Sequence, residues 1–422
     1  MPHDDATRLA EAPTPAGGPA PRSATRSAGR ADVGLVVVLG AMAFLPAATT
    51  DMYLPSLPQV AEDLHASQAA VQLTISWVLV GGSLGQLVIG PFSDRWGRRR
   101  PALWGLAAYV VVALACLAAG SITQLVPLRV LHGVVAAAAT VVATAVIGDR
   151  WRGADAARLL SRLWLAIAVA PVLAPLLGTV IAEHWGWRAI FAVLAGMGAV
   201  LGLVVWRALP ETLPPDRRVG AGLGTSLRSY AGVLRDRRFL ALALLPGLGL
   251  AVIMSYVTGS SFVLQEEYGL SPQTYALVFG LGATSMLVGS QVNAALVARV
   301  GPVRLLAVGL PATVASTCAL VVVAAGHLGG VVGLLVPLWL TVGLLSGVIA
   351  NASALALSRH PDRAGTAAAV IGALQGGLGG AVSPLVGFLG GGGVAMGSVM
   401  LGAAVIGTVV LAVGTDVLRG RR

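Results

Sequence analysis

Long apolar stretches alternate with short polar ones along almost the whole chain. Each apolar stretch holds about 20 residues, the length that a helix needs to cross the hydrocarbon core of a bilayer. They predict twelve spans, at 33–55, 69–90, 101–119, 124–147, 159–182, 189–208, 239–262, 272–298, 303–325, 330–352, 364–389 and 394–415. The predicted fold class is therefore an all-α integral membrane protein.

The composition agrees with this pattern. Of the 422 residues, 56% are hydrophobic and 11% are charged, whereas about a quarter of the residues of a soluble domain are charged. The mean hydropathy of +0.83 also excludes a soluble globular class. The sequence has no nucleotide-binding loop, no metal-ligand cluster and no catalytic-triad spacing, so we expect no cofactor, no metal and no enzymatic activity.

The charge pattern gives an orientation. The 28 basic residues behind the net charge of +10 are all arginine. A basic chain can bind nucleic acid, yet here the arginines occupy the two tails and the alternate loops on one side of the predicted topology. Arg129 and Arg188 are the exceptions. Such asymmetry marks the cytoplasmic side, so we expect both termini in the cytoplasm and no nucleic-acid partner.

The chain divides into two halves. The widest internal polar gap, 210–238, separates six spans from six. Part of the loop after span 2 recurs 204 residues later, as Arg95/Arg299, Gly97/Gly301 and Arg100/Arg304. This spacing indicates duplication. We predict a disordered N-terminal tail (1–32), a first six-helix bundle (33–208), a cytoplasmic linker (209–238), a second bundle (239–415) and a C-terminal tail (416–422).

The loop between spans 2 and 3 carries the most informative motif. Residues 90–100 read G-P-F-S-D-R-W-G-R-R-R. So many charges cannot lie in hydrocarbon, so the segment is a short aqueous loop. It resembles the loop between helices 2 and 3 of major facilitator superfamily transporters. The resemblance implies twelve helices in two pseudo-symmetric six-helix bundles.

Further stretches narrow this resemblance. In chain order they are T-T-D-M-Y-L-P-S-L-P (49–58), L-R-V-L-H-G (128–133), A-P-V-L-A-P-L-L-G (170–178), L-P-E-T-L (209–213) and R-A-G-T-A-A-A (363–369). Together they resemble the bicyclomycin/chloramphenicol (Bcr/CflA) branch of bacterial drug:proton antiporters. The resemblance implies proton-coupled efflux of small amphipathic drugs, chloramphenicol-like or bicyclomycin-like, by alternating access.

Asp51 and Arg129 are the two charges expected deep in the first half. An ionised side chain inside a membrane helix costs about 2.5–3.5 kcal/mol or more, so it is normally functional. The resemblance implies protonation and substrate binding for Asp51 and proton coupling for Arg129. The alternatives are an interfacial helix-end carboxylate for Asp51 and a snorkelling or carbonyl-bound structural arginine for Arg129. Tyr53 and Trp77 are further candidates for the substrate site.

The resemblance makes the loop after span 2 a latch. It implies that Asp94 caps helix 11, which begins near Gly365, and that Arg98 pairs with Asp149 at the inner end of helix 4. These contacts would hold the inside closed, because a carboxylate is stabilised at a helix N-terminus. The alternative is a solvated turn. The gating candidates are Gly90, Asp94, Arg95, Gly97, Arg98 and Asp149.

Helix 5 contains Pro171 and Pro175, which remove backbone donors and bend a helix, followed by Gly178. We expect this antiporter segment to lie between the halves, the alternative being an ordinary kink. Other mid-span side chains are candidates to line a cavity or to pack on neighbouring helices: Trp164, Tyr256, Gln291, Asn293 and Gln375.

The sequence favours a multi-pass protein of a bacterial inner membrane. We expect a monomer whose partners are a small-molecule drug, protons and the lipid bilayer. Two alternative functions stay open. One is export of a metabolite made by the host, with incidental drug resistance; the other is a non-transporting membrane sensor or scaffold.

Overall fold

The computed structural model describes residues 30–151, 153–218, 231–360 and 363–414, and these residues form helices and no β-strand. The long helices are α1 (Arg30–Asp51), α2 (Gln68–Trp96), α3 (Arg99–Leu117), α4 (Ile122–Arg150), α5 (Gly153–Trp185), α6 (Arg188–Ala208), α7 (Arg237–Phe262), α8 (Pro272–Val300), α9 (Pro302–Gly326), α10 (Gly330–Ser358), α11 (Ala364–Val382) and α12 (Gly393–Gly414). The predicted all-α membrane fold is confirmed.

Eleven of these helices are long and apolar enough to cross a membrane over the described residues, and α5 contributes the shorter apolar segment Val169–Trp185. Several helices extend beyond the predicted spans. For example, α4 begins at Ile122 and ends at Arg150, whereas hydropathy predicted 124–147. The apolar stretch marks only the part of a helix that lies in hydrocarbon, and the backbone stays helical through the polar interface.

Helices α1–α6 pack mainly on one another, and so do α7–α12. Within the first half α2 packs most extensively on α4, where glycine allows close approach. A Cβ added at Gly81 would lie 2.1 Å from the Val130 carbonyl oxygen, and one at Gly133 would lie 2.0 Å from that of Val78. The halves meet chiefly through α2 with α11 and α5 with α8.

The predicted duplication is visible in the backbone. Both α2 and α8 have 29 residues, and each is capped by a serine, Ser67 or Ser271, that accepts a hydrogen bond from a backbone amide of the first turn. Both end at a glycine in the left-handed region, Gly97 with φ +86° and Gly301 with φ +84°. The 204-residue offset therefore relates α2 and its following loop to α8 and its following loop.

The two ends of the bundle differ in how closely the halves approach. At the end that contains Asp51, here called the Asp51 end, several hydrogen bonds between described residues cross between the halves, among them Gln68 to Glu266 (2.7 Å), Gly387 N to Gln72 (2.9 Å) and Ser76 to Ser383 (2.8 Å). At the opposite end, the arginine end, a Cβ added at Gly90 or Gly365 would have no neighbour within 4 Å. Hydrogen bonds therefore hold the halves together at the Asp51 end, whereas Gly90 and Gly365 at the arginine end have open space beside them.

The predicted domain limits stay predictions. Residues 1–29 of the N-terminal tail, 219–230 of the linker and the C-terminal tail 416–422 lie outside the described residues.

Candidate functional site

Asp51 is the last residue of α1 and lies where the two halves meet. It is only 9% exposed, and no hydrogen bond or ion pair joins its carboxylate to a described residue. The turn that follows it, Leu54–Ser56, packs on α7 and α8 of the other half. Asp51 is therefore a buried acid without a cationic partner at the contact between the halves.

The chain after Asp51 is fixed from both halves. It forms a short turn, Leu54–Ser56, and then a short helix, Leu57–Asp63. Ser261 of α7 donates a hydrogen bond to the Leu54 carbonyl oxygen at 2.8 Å. Within the first half, Gly178 of α5 is indispensable, because an added Cβ would lie 1.9 Å from the Met52 carbonyl oxygen. The position of Asp51 thus depends on α5 and α7 together.

Arg129 lies two turns inside α4 and is fully buried. Its guanidinium does not pair with Asp51. It donates hydrogen bonds to the carbonyl oxygens of Thr74 in α2 (3.3 Å) and Thr49 in α1 (3.2 Å). It also lies over the rings of Tyr53 (5.0 Å) and Phe191 (5.5 Å). Arg129 therefore ties α1, α2 and α4 together through a carbonyl two residues before Asp51, as the carbonyl-bound alternative describes.

The structure describes no hydrogen bond from Tyr53 or Trp77 to Asp51. Tyr53 is fully buried inside the first half, 5.5 Å from the ring of Phe191, and the Thr74 hydroxyl donates to its oxygen at 3.4 Å. Trp77 is 39% exposed and shares a helical face with exposed Leu84 and Val88, the kind of face that lipid covers. The substrate role of both residues stays a prediction without support from this geometry.

Arg98 is the centre of a charge cluster at the arginine end. The expected pair with Asp149 is present at 2.8 Å, and Asp94 pairs with the same guanidinium at 2.6 Å. Burial lowers the pKa of Arg98, but hydrogen bonds to Asp149 and Asp94 outweigh that cost and raise it above its ordinary value. The cluster joins the α2–α3 loop to α4.

Asp94 does not cap α11 in this structure. Its side chain is 52% exposed and faces Arg98 of its own half, while α11 begins at Ala364 in the other half. The first turn of α11 is correspondingly without a side-chain cap, and an added Cβ at Gly365 would have no neighbour within 4 Å. Among the other gating candidates, Arg95 lies over the Trp96 ring at 5.8 Å, and Gly90 lies inside α2. The latch therefore stays a prediction for a conformation closed at the arginine end.

Sequence reasoning missed Glu211, which follows α6. Its carboxylate accepts hydrogen bonds from the backbone amides of Arg98 (2.8 Å) and Arg99 (3.4 Å), so it caps the start of α3. A Cβ at Gly97 would lie 2.3 Å from the Glu211 carboxylate. The available signal was an acidic residue just after α6 in an arginine-rich region. Its partner, the Arg98 amide, lies 113 residues away in the chain, so local sequence does not identify it.

Helix α5 lies between the halves, as expected. Pro171 and Pro175 are inside it, and it packs on α8. A Cβ at Gly280 of α8 would lie 3.5 Å from the Val172 Cα, next to Pro171. The antiporter role of this segment stays a prediction.

The remaining candidates fall in separate places. Tyr256 is buried and stacks on Phe279 with ring centroids 5.5 Å apart. Asn293 accepts a hydrogen bond from Asn351 of α10 at 2.6 Å. Gln291 is exposed and Gln375 is half-buried, whereas the side chain of Trp164 lies outside the described residues.

Comparison with known proteins adds three relatives. The sequence profile of the Major Facilitator Superfamily matches residues 39–384. A Bacillus subtilis protein described as an uncharacterized MFS-type transporter, YdgK, is 35% identical and covers 90% of this chain and 95% of its own. A bicyclomycin resistance protein homolog of Haemophilus influenzae is 28% identical, covering 83% and 88%. A chloramphenicol resistance protein of Pseudomonas aeruginosa is 28% identical, covering 83% of each chain.

Among solved structures, a D-xylose-proton symporter superposes with a TM-score of 0.69 at 17% identity, covering 89% of this chain and 97% of the other. An identity this low shows a shared fold alone.

Proposed function

Because the chain belongs to the major facilitator superfamily of membrane transporters, we propose that it exports small amphipathic drugs in exchange for protons. Chloramphenicol-like and bicyclomycin-like compounds are the substrates proposed first, since two relatives carry these names. We further propose a monomer in a bacterial inner membrane, with both termini in the cytoplasm. Under this orientation the Asp51 end, where hydrogen bonds join the halves, faces outward.

The unpartnered Asp51 carboxylate carries the proposal. An ionised carboxylate held away from water without a cation is costly. Closure of the halves at the Asp51 end, seen in the cross-half hydrogen bonds there, favours a bound proton on Asp51. Opening at this end would hydrate the carboxylate and permit exchange with the outside. The two halves can therefore couple their movement to the proton on Asp51.

Arg129 enters this mechanism as a positioning residue. Its hydrogen bond to the Thr49 carbonyl oxygen fixes the last turn of α1, which carries Asp51. The bond to Thr74 ties the same turn to α2, the helix that contacts α11 across the halves. A lysine could not make both contacts with a planar fork. Arg129→Lys should therefore weaken coupling more than it weakens drug binding.

The test is transport into everted membrane vesicles that carry a proton gradient. Wild-type protein should accumulate chloramphenicol and release protons, and Asp51→Asn should abolish gradient-driven accumulation. Glu62→Gln is the matched control, because Glu62 is an exposed acid at the same end; it should transport as the wild type does. Gradient-driven accumulation by Asp51→Asn at the wild-type rate would remove Asp51 from the mechanism.

A further inference from the structure

A groove of about 530 Å³ opens between α8, α9 and α10 in the second half. Exposed apolar side chains form its rim, notably Val288, Val292, Val308 and Leu340. Helix α9 packs on α10 and α12 of its own half, and an exposed apolar surface on a membrane helix is covered by lipid. The groove therefore opens to the bilayer rather than to the contact between the halves.

The corresponding place in the first half is filled by aromatic rings. Phe92, Trp96 and Trp104 form a cluster with ring centroids 5.9–6.1 Å apart. At the 204-residue offset established for α2 and its following loop, their counterparts are Leu296, Val300 and Val308. Leu296 and Val308 line the groove. The side chains at the equivalent positions of the second half are smaller than these three rings. They therefore leave a groove at the place that the rings cover in the first half.

The groove also contains a pair of amides. Asn351 Nδ2 donates to Asn293 Oδ1 at 2.6 Å, and both residues line the groove. At the same offset the first half has Ile89 in place of Asn293. No hydrogen bond joins Asn293 Nδ2 or Asn351 Oδ1 to a described residue. The amide nitrogen of Asn293 and the amide oxygen of Asn351 are thus left for a ligand, and a polar group without a partner in hydrocarbon is costly.

We propose that the groove binds a small amphipathic compound with a neighbouring donor and acceptor, such as a secondary amide, taken up from the bilayer. Apolar pockets of about 300–1,000 Å³ with a few placed polar groups are typical of drug-sized ligands. A lipid acyl chain would fit the walls but leave both amide atoms unpaired. The ligand class rests on the proposed function; the site rests on the groove itself.

The first experiment fills the groove with the side chains of the first half. Radiolabelled chloramphenicol, which contains a secondary amide, is bound at equilibrium to purified protein in phosphatidylcholine nanodiscs. Excluding two methylene-sized groups of a ligand costs about tenfold in affinity, so Leu296→Phe/Val308→Trp should weaken binding at least that much. Val322→Trp, an exposed position of α9 outside the groove, should bind as the wild type does.

The second experiment distinguishes an amide ligand from a lipid chain. Asn293→Leu/Asn351→Leu makes the groove wholly apolar, so it should weaken chloramphenicol binding while it improves the fit of an acyl chain. Phospholipid that co-purifies with each variant is counted by mass spectrometry. Unchanged chloramphenicol binding in both double variants, with less phospholipid on the filled groove, would identify the occupant as lipid and overturn the proposal.

Failure of this inference can be told from failure of the export proposal, because equilibrium binding needs no proton exchange. Vesicle transport by the wild type, together with unchanged binding by the filled variant, would refute only the groove. Loss of binding in the filled variant, without transport by the wild type, would refute only export. Absence of chloramphenicol binding to the wild type would refute the groove. Leu296→Phe alone carries the test if the double variant misfolds.

Discussion

In the first half the charge cluster at the arginine end is built around a cation, whereas in the second half it is built around an anion. Arg98 pairs with Asp94 and Asp149. Asp236, just before α7, pairs with Arg359 at 2.9 Å and lies 3.3 Å from His360. Each cluster joins a helix end to a neighbouring helix, but the chemistry is inverted.

The difference shows that duplication preserved the backbone and not the contacts. At the 204-residue offset, Asp94 and Arg98 become Ala298 and Pro302, so the second loop cannot form the first loop's cluster. In both halves the preceding helix nevertheless ends at a glycine with a positive φ angle. We infer that the backbone turn is needed for the fold of each half, whereas the Arg98 cluster has a role that is specific to the first half.

Removal of Arg98 should have the largest effect on stability. Its side chain is 9% exposed, and Arg98→Ala would leave the carboxylates of Asp94 and Asp149 without their cation. Removing one partner of a buried ion pair costs about 3–5 kcal/mol. Because Asp149 is partly exposed, we expect Arg98→Ala to lower the free energy of unfolding by about 3 kcal/mol. Thermal unfolding in detergent measures the loss.

Arg304→Ala is the matched control for Arg98→Ala, because Arg304 is an exposed arginine in the first turn of α9, directly after the second half's equivalent loop. It should unfold within about 0.5 kcal/mol of the wild type. Equal losses from the two substitutions would mean that the Arg98 cluster does nothing beyond placing a charge at the membrane surface.

Removal of Asp236 should have the next largest effect, because this residue also caps α7 through the amides of Arg238 and Phe239. Losing a helix cap costs about 0.5–2 kcal/mol, so Asp236→Ala should lower the free energy of unfolding by about 1–2 kcal/mol at neutral pH. Asp236→Asn, which keeps a capping oxygen, should recover part of this loss. If both variants matched the wild type, the second cluster would be only a surface contact.

The contribution of Asp236 should also depend on pH. Burial raises the pKa of Asp236, but hydrogen bonds from Arg359 and the Phe239 amide outweigh it and hold the pKa below its ordinary 3.8. The ionised form therefore stabilises the fold above about pH 4, and this contribution is lost as the pH falls through the folded pKa. The stability difference between wild type and Asp236→Ala should shrink in acid; a constant difference would contradict the assignment.

Asp94→Ala should affect stability little and transport strongly. The Asp94 side chain is 52% exposed, and an exposed ion pair contributes about 1 kcal/mol or less. If Asp94 caps α11 only when the arginine end closes, the variant should unfold near the wild-type temperature yet transport chloramphenicol slowly in everted vesicles. Ala298→Asp should not restore transport, because Pro302 offers no cation. Wild-type transport by Asp94→Ala would remove the latch.

Trp104→Val should have a modest effect on stability and none on ligand binding, since it gives the first half the side chain found at Val308. Trp104 packs on Phe92 and Trp96, and an aromatic pair contributes about 0.5–1.5 kcal/mol. We expect a modest loss of stability and no gain of chloramphenicol binding, because Ile89 supplies no amide there. New binding by this variant would mean that apolar volume alone suffices for the ligand.

The sequence predicted the helices better than it predicted the site. Hydropathy located the spans because a segment in hydrocarbon must be apolar and must satisfy its backbone hydrogen bonds within its own helix. The Arg98–Asp149 pair was also expected and is present. Glu211 was missed, because the partner of a loop carboxylate cannot be read from local spacing. The substrate role of Trp77 stays a prediction.

The sequence by itself determined a twelve-helix, duplicated membrane chain, since length, hydropathy and the 204-residue repeat are local or periodic properties. Only the tertiary structure decided that Arg129 binds carbonyl oxygens rather than Asp51, that Asp94 faces Arg98 rather than α11, and that a groove with two asparagines lies open in the second half. These features depend on how helices distant in the chain are rotated and spaced, which packing alone fixes.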